Sequence, residues 1–411
     1  MRFWLGVLLL AYAFLAEAFA ADAKFVPLFD GKTLGGWEVC NGFAKYEVEN
    51  GIIVGTTVPG SPNSFLCTTK QYGDFILEFD VNTDPALNSG VQIRSHRYAE
   101  DTAGLIAGGT DGKMKAQRQW SKGRVHGYQV EIGDEKIGNS GGIWEEARRG
   151  WLYSLVADNP AASRAFKGNQ WNHFRVAAVG DSIKTWVNGV ACADLVDPVD
   201  QTGFIALQVH GLKSEKPAQV RFRNVRIQDL GRHVWKPIWD GKSLSGWTRS
   251  RGGEWKVEDG AIHARSTPGD PRIGYLVSDR PFKDLTVRVR YKIIKGNSGF
   301  LLRADRKTLA GYEMEIDEAK GTGGLWEIGG RKWVTGPQDN ALVKANGWNE
   351  LTASLHGQRI VFHVNGYKTV DLPSDSQGRT EGHIALQAHG SQRASEIWFK
   401  DIEILVPERV R

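Results

Sequence analysis

The sequence predicts an all-β chain made of two tandem antiparallel β-sandwiches. Three observations lead there. The chain repeats itself with a period of about 200 residues: SGVQIRSH (89–96), GYQVEIGDE (127–135), GGIWE (141–145), WVNG (186–189) and TGFIALQVHG (202–211) return in order as SGFLLRAD (298–305), GYEMEIDEA (311–319), GGLWE (323–327), HVNG (363–366) and EGHIALQAHG (381–390). A period that long marks two whole domains rather than solenoid turns. Apolar and polar residues alternate in short runs, the period-2 signature of half-buried strands. Neither copy carries an amphipathic helical pattern of ten or more residues.

In chain order, residues 1–20 read as a secretory signal. Arg2 gives the positive start, Leu5 to Leu15 the apolar stretch, and Ala18-Phe19-Ala20 a small-x-small cleavage site. No later run is long and apolar enough for a membrane span, so a secreted or periplasmic protein is expected. The first domain is expected over 22–230, the second over 235–411, with Gly231-Arg232-His233-Val234 a tether so short that the domains should touch. Each opens on a head motif, FVPLFDGKTLGGW (25–37) or WKPIWDGKSLSGW (235–247). Phe75, Leu77, Phe79 and Val81 alternate with polar residues, and the run 285–291 does so more cleanly. Asn188-Gly189 and Asn365-Gly366 each sit between alternating runs, a strong signal for a tight hairpin. Trp37, Trp247, Trp171 and Trp348 read as packing residues.

Composition narrows the function. Fifty-two basic against 47 acidic residues leave a formal charge of +5 with no basic run, which argues against a nucleic-acid partner. Cysteines occur only in the first copy: Cys40 and Cys67 are candidates for pairing in an oxidising compartment, with Cys192 left over. With no cysteine in the second copy, a thiol nucleophile is not expected.

Sorting strand residues by face brings out candidate chemistry. Val91 and Ile93 oppose Gln92, Arg94 and His96. Tyr128, Val130 and Ile132 oppose Gln129 and Glu131, and Ile205, Leu207 and Val209 oppose Gln208 and His210. The second copy keeps Arg303, Glu313, Glu315, Gln387 and His389 at the matching places and adds Asp317 and His383. Both copies therefore retain Arg, Glu and His while neighbouring polar positions change. This points to a site at Arg94, Glu131 and His210, and another at Arg303, Glu315 and His389, flanked by Gln129, Gln208, Glu313 and Gln387. Trp144 and Trp326, each after Gly-Gly, are candidate aromatic platforms, though a hairpin role fits equally. No dense metal-ligand cluster of recognisable spacing is present. Glu313, Glu315 and Asp317 are a candidate set for a hard cation such as calcium; the sequence requires no cofactor.

LFDGKTLGGW, YEVENGIIVG, NSGVQIRS, GYQVEIG, GNQWNHFRVAAVGDSIKTWVNGVACADLVD, GFIALQVHG and VRFRNVRI resemble the 3-keto-disaccharide hydrolase domain. The resemblance covers nearly all of 25–229 and, more loosely, 235–405. It implies a concanavalin A-like jelly-roll in each half and an exported enzyme acting on glycosides already oxidised to a ketone at C3. The implied reaction removes the C2 proton, expels the aglycone from C1 and hydrates the product. Glu131 or His210 would then be base and acid, with Arg94 and Gln208 on the ketone oxygen. An upstream sugar 3-dehydrogenase is the implied pathway partner and an oligosaccharide or glycoside the substrate. The laminarinase motif Glu-x-Asp-x-x-Glu is incomplete in both copies, because Lys320 and Lys136 stand at its last position. A lectin-like binding protein, or a catalytic first domain with a binding second domain, is the alternative.

The copies differ most between Arg94 and Tyr128. That interval is 34 positions (128 − 94) against 9 (312 − 303) in the second copy, so the first domain holds 25 extra residues (34 − 9). They include Lys113, Lys115, Arg118, Trp120, Lys122 and Arg124. The insertion leaves from the Arg94 strand and returns to the Glu131 strand. It is expected to wall the first site with Trp120 and a basic side chain touching substrate.

Overall fold

A computed structural model describes residues 24–85, 87–107, 114–266, 272–338, 340–390 and 394–408; the secretory signal expected at 1–20 lies outside them. The chain divides into two compact units. One runs to His233 and takes in the terminal stretch from Pro407; the other is Val234–Val406. Each is an antiparallel sandwich, as alternation requires.

In the first unit a seven-stranded sheet runs Gly150–Tyr153, Ile143–Glu146, Val125–Ile132, Ser89–Arg97, Phe204–Val209, Ser64–Thr68, Trp37–Asn41. An eight-stranded sheet faces it, centred on Asp74–Thr83 between Asn172–Val179 and Gln219–Gly231. Sequence-adjacent hairpins lie toward the sheet edges, while strands far apart in sequence pair at the centres, the jelly-roll pattern. The second unit repeats the site-bearing sheet strand for strand: Lys332–Thr335, Leu325–Ile328, Gly311–Asp317, Asn297–Ala304, His383–Ala388, Gly274–Ser278, Trp247–Arg251.

The alternating residues close each core. Phe75, Phe79, Phe174 and Phe222 of one sheet meet Val91, Tyr128, Val130 and Leu207 of the other, all fully buried. Phe79 stacks on Phe174 with centroids 5.1 Å apart. Each such side chain contributes about 1.5–3 kcal/mol of burial. Asn188 and Gly189 turn their hairpin with φ of 50° and 81°, as do Asn365 and Gly366, the left-handed pair that a two-residue turn needs. The described helices are short, Leu155–Asp158 and the 3-10 turns Pro160–Ala162 and Asn340–Leu342.

Trp37 and Trp247 are buried as expected. Trp171 and Trp348 are not core residues: both are half-buried, under the Arg223 guanidinium at 4.1 Å and the Lys400 ammonium at 4.4 Å. Cys40 and Cys67 are buried free thiols, their Sγ atoms directed to the Glu38 and Phe65 carbonyls, and Cys192 is a free core residue.

Candidate functional site

The side of each seven-stranded sheet turned away from the core carries the polar residues. Register aligns one row straight across the first unit: Glu38, Cys67, Ala206, Gln92, Gln129, Trp144, Trp151. The second unit aligns Thr248, Val277, Ala385, Leu301, Glu313, Trp326, Trp333 in the same way. One row further along lie Cys40, Phe65 and Gln208, with Gly90 beside Glu131; opposite numbers are Ser250, Tyr275 and Gln387, with Gly299 beside Glu315. Trp144 packs edge-on to Trp151 at 5.4 Å and Trp326 to Trp333 at 5.1 Å, so each face ends in a tryptophan pair.

Glu131 is the centre of the first face. Its carboxyl accepts from Asn88 Nδ2 at 2.5 Å and Gln129 Nε2 at 2.8 Å. Gln129 Oε1 in turn accepts from Gln92 at 2.7 Å and Gln208 at 2.9 Å. Glycine at 90 makes this possible, because a Cβ there would lie 2.5 Å from Gln129 Cδ. Burial pushes the Glu131 carboxyl up; the Asn88 and Gln129 donors oppose this and nearby Glu146 adds to it. Buried Gln208 Oε1 has no hydrogen-bond partner among the described residues and faces the site as a free acceptor.

The second face repeats the arrangement with more acid. Asn297 Nδ2 donates to Glu315 and to Asp317, and Gln387 Nε2 donates to Glu313 at 2.6 Å. A Cβ on Gly299 would lie 1.9 Å from Glu313 Oε1. Burial, helped by Asp317, lifts Glu315 to about 7; burial and Glu315 lift Glu313 well above the carboxylate range. Asp317 Oδ1 accepts from the Ala319 and Lys320 amides. Among the described residues no group of three or more His, Cys, Asp or Glu is gathered as metal ligands.

Gln208 stands across Gly90 from Glu131, two strand spacings or about 10 Å away at the backbone, and His210 follows two residues further on, about 12 Å from Glu131. Its Nδ1 lies 2.8 Å from the Gly211 carbonyl. Gly211 N donates to Asn63 Oδ1 at 3.0 Å and Asn63 Nδ2 to Glu146 Oε1 at 3.3 Å, and the Glu146 charge reaches Glu131 through space. Arg124 completes this strap by pairing with Glu146. In the second unit burial pushes His389 down while Asp317 pulls it up, and its Nδ1 has no hydrogen-bond partner among the described residues. His383 is tied at Nδ1 to the Ser278 carbonyl at 2.7 Å.

Arg94 and Arg303 do not share these faces. Each has a positive φ, 45° and 50°, where the strand register slips, and this bulge re-aims the side chain. Arg94 is fully buried, donating to the Gly73, Gly180 and Asp200 carbonyls and pairing with Asp74 at 3.0 Å. Arg303 donates to the Lys283 and Arg379 carbonyls and pairs with Asp284 at 3.3 Å. The slip also turns His96 toward Asp200 and puts Ser95 on the site side, where it donates to Gln92 at 2.8 Å. Simple alternation misassigned these residues because it assumes no bulge.

The insertion forms its own hairpin, Thr102–Ala107 with Met114–Trp120; 108–113 lie outside the described residues. Trp120 stacks on Tyr98 at 6.0 Å and packs over Gly104, and Tyr98 stacks on His126 at 4.0 Å. Arg124, at the base of the insertion, is the basic side chain that enters the site.

Three functional elements escaped sequence reasoning. Asn88 and Asn297 stand in an identical Asn-Ser-Gly in both copies, a signal that was present. The Asn63–Glu146–Arg124 strap has no counterpart, since Ile273, Ile328 and Thr308 replace it, so comparing copies could not reveal it. The third is an ionic brace beneath each face, buried in the first unit and partly exposed in the second. Tyr128 donates to Asp197 at 2.5 Å, and Arg149 bridges Asp197 at 2.9 Å and Glu145 at 2.5 Å. Tyr312, Asp375, Arg331 and Glu327 repeat it. Burial resists the charge on Glu145, but Arg148 and Arg149 outweigh it and hold that carboxyl at about 2.

A family model described as the 3-keto-alpha-glucoside-1,2-lyase-like domain matches residues 24–228 and again 234–405. No curated protein matches the chain. Among solved structures, a glycosyl hydrolase candidate from Parabacteroides distasonis is 20% identical, with 52% of this chain and 96% of that one covered and a TM-score of 0.32. The carbohydrate-binding module CBM66 of Bacillus subtilis is 19% identical, over 40% and 98%, with a TM-score of 0.32. The laminarinase catalytic domain of Thermotoga petrophila is 11% identical, over 43% and 100%, with a TM-score of 0.33. The chain belongs to the 3-keto-alpha-glucoside-1,2-lyase-like family in both of its halves.

Proposed function

From that membership we propose that each half cleaves glycosides carrying a ketone at C3, by elimination followed by hydration. The observation that carries this reading is the paired Asn–Glu–Gln set. In both halves a carboxyl sits mid-face, buried at Glu131 and half-buried at Glu315, held by the asparagine of Asn-Ser-Gly and shifted upward. A general base works best with a pKa near the working pH.

The chemistry assigns the parts. The C3 ketone acidifies the C2 proton, and the Glu131 or Glu315 carboxylate takes it. The freed electron pair delocalises onto the C3 oxygen as an enediolate. When it returns to form C1=C2, the C1–O bond breaks and the aglycone oxygen takes a proton from His210 or His389. Water adding across C1=C2 gives the free keto-sugar. The side-chain amides of Gln92 and Gln208 in the first half orient the ring, and the Trp144 and Trp326 pairs offer stacking surfaces. Arg94 and Arg303, saturated by carbonyls and carboxylates, position the sheet instead of touching substrate.

The leader at 1–20 supports export, and a sugar 3-dehydrogenase class of enzyme must supply the substrate. Incubation with a 3-keto-disaccharide and its unoxidised parent tests the reading: turnover of the ketone alone is expected. Equal rates on both would indicate ordinary glycosidase chemistry, and binding without turnover a lectin.

A further inference from the structure

The enediolate needs a cation or strong donor at the C3 oxygen, and Arg94 and Arg303 are spent elsewhere. Another guanidinium stands over each face. In the first unit Arg124 lies over the Phe65 ring at 5.9 Å; in the second, Arg251 lies over the Tyr275 ring at 5.6 Å. Phe65 and Tyr275 are corresponding residues, cross-strand neighbours of Gln208 and Gln387. The two arginines do not correspond. Arg124 precedes the Glu131 strand, and its counterpart is Thr308; Arg251 ends the edge strand at the far side of the sheet, and its counterpart is Asn41.

The exchange is reciprocal. Arg251 Nη2 donates to the carbonyl of Thr308 at 2.9 Å, reaching the spot from which Arg124 springs in the first unit. Asn41 and Arg251 share a left-handed backbone, φ 72° and 66°, so the edge position is the same in both. Arg124 gives Nη2 to Glu146, while its buried Nη1 has no partner among the described residues. A cation over an aromatic ring is by itself worth about 0.5–1 kcal/mol at exposed sites. That is a weak reason for both faces to keep one from opposite sides of the sheet.

We propose that Arg124 and Arg251 are the charged donors to the C3 oxygen in their respective sites, one role filled from two different strands. This rests on the elimination reading above. The planar guanidinium, shielded below by the ring, offers N–H donors where negative charge develops as C2 loses its proton.

The test transplants one solution into the other, in a Glu315→Gln background that silences the second site. Arg124→Thr should lower kcat on a 3-keto-disaccharide about 100-fold, the scale for losing one such donor, with KM changed less than threefold. Adding Asn41→Arg should restore at least tenfold of it, although the tie to Glu146 stays broken. A structural role predicts the reverse: a fall in Tm with no rescue by Asn41→Arg. Full kcat in Arg124→Thr, or a loss that the double variant leaves untouched, overturns the proposal. If the double variant does not fold, Arg251→Asn and Arg251→Asn/Thr308→Arg in a Glu131→Gln background ask the same question in the second unit. Binding of 3-keto-glucose, followed by tryptophan fluorescence, separates the two readings. With no turnover in the parent protein, affinity lost in Arg124→Thr and regained in the double variant sinks the elimination but keeps the arginine role. Equal affinity in all three proteins sinks the arginine role.

Discussion

The two faces are the same sheet with different linings. The first is neutral amide chemistry under a polar strap: Gln92, Gln129 and Gln208 feed one carboxyl, and Asn63, Glu146 and Arg124 cross above it. The second replaces Gln92 with Leu301 and Gln129 with Glu313, and puts Ile273 and Ile328 where the strap would be. What survives is the asparagine, the central glutamate, the glutamine across the glycine, the tryptophan pair and the brace beneath. The parts that drift are the strap and the amides around it; the parts held are those that fix the central carboxyl.

The largest effect that could break this comparison is at the shared carboxyl. Glu131→Gln should remove first-face turnover by 1,000-fold or more while leaving the second face intact, and Glu315→Gln should do the converse, as read by kcat for each single variant against the double. Loss of all turnover in one single variant means that only one half is catalytic.

Next comes the brace, where the halves should differ. Arg149→Met leaves Asp197 charged and buried without its guanidinium while Glu145 keeps Arg148, at a cost of about 3–5 kcal/mol in unfolding free energy. Arg331 is 33% exposed against 4% for Arg149, so Arg331→Met should cost clearly less by denaturant titration of each unit. Equal losses would mean that burial does not set the strength of the brace.

A smaller difference follows pH. Glu315 is raised to about 7 in the fold and returns to about 4.3 when unfolded. The native state thus holds a proton that the unfolded state has lost across that window. This contribution to stability is full below about pH 4 and fades as pH rises through 7. Glu315→Gln should flatten the decline in Tm of the second unit between pH 5 and 8. Turnover on that face needs Glu315 ionised and His389 protonated, so an acid limb should rise toward about pH 7 and loss of the histidine proton should turn the profile down again; a profile without that acid limb would remove Glu315 as base.

The smallest effect is expected at Trp120. Its ring faces Tyr98 and Gly104, so Trp120→Ala should change kcat/KM less than threefold. A tenfold loss would place it on the substrate after all.

Much of the sandwich was legible because alternation and Asn-Gly turns act locally: 75–81 and 285–291 need no knowledge of their partners. Glu131, Gln208 and their counterparts were legible because both copies keep them on the same strand parity. Arg94 and Arg303 were misplaced for a backbone reason. One left-handed residue shifts parity, and nothing in Val91-Gln92-Ile93 announces it. The strap was hidden because it joins residues 63, 124 and 146 from three separate segments and exists in one copy alone. The migrating guanidinium was hidden by the very rule that found the glutamates, since aligning copies detects residues that stay in place.

Each brace and each Asn–Glu–Gln set is drawn wholly from its own unit. In genetic terms the chain is a fused duplicate whose two faces are made at a one-to-one dose. On the reading that both faces turn over substrate, a missense change in one lowers the dose by half and leaves the other as a reserve. Under that insurance a copy can change its taste for ligands by small steps, as the passage of an arginine from one side of the sheet to the other illustrates, without the cell passing through a null.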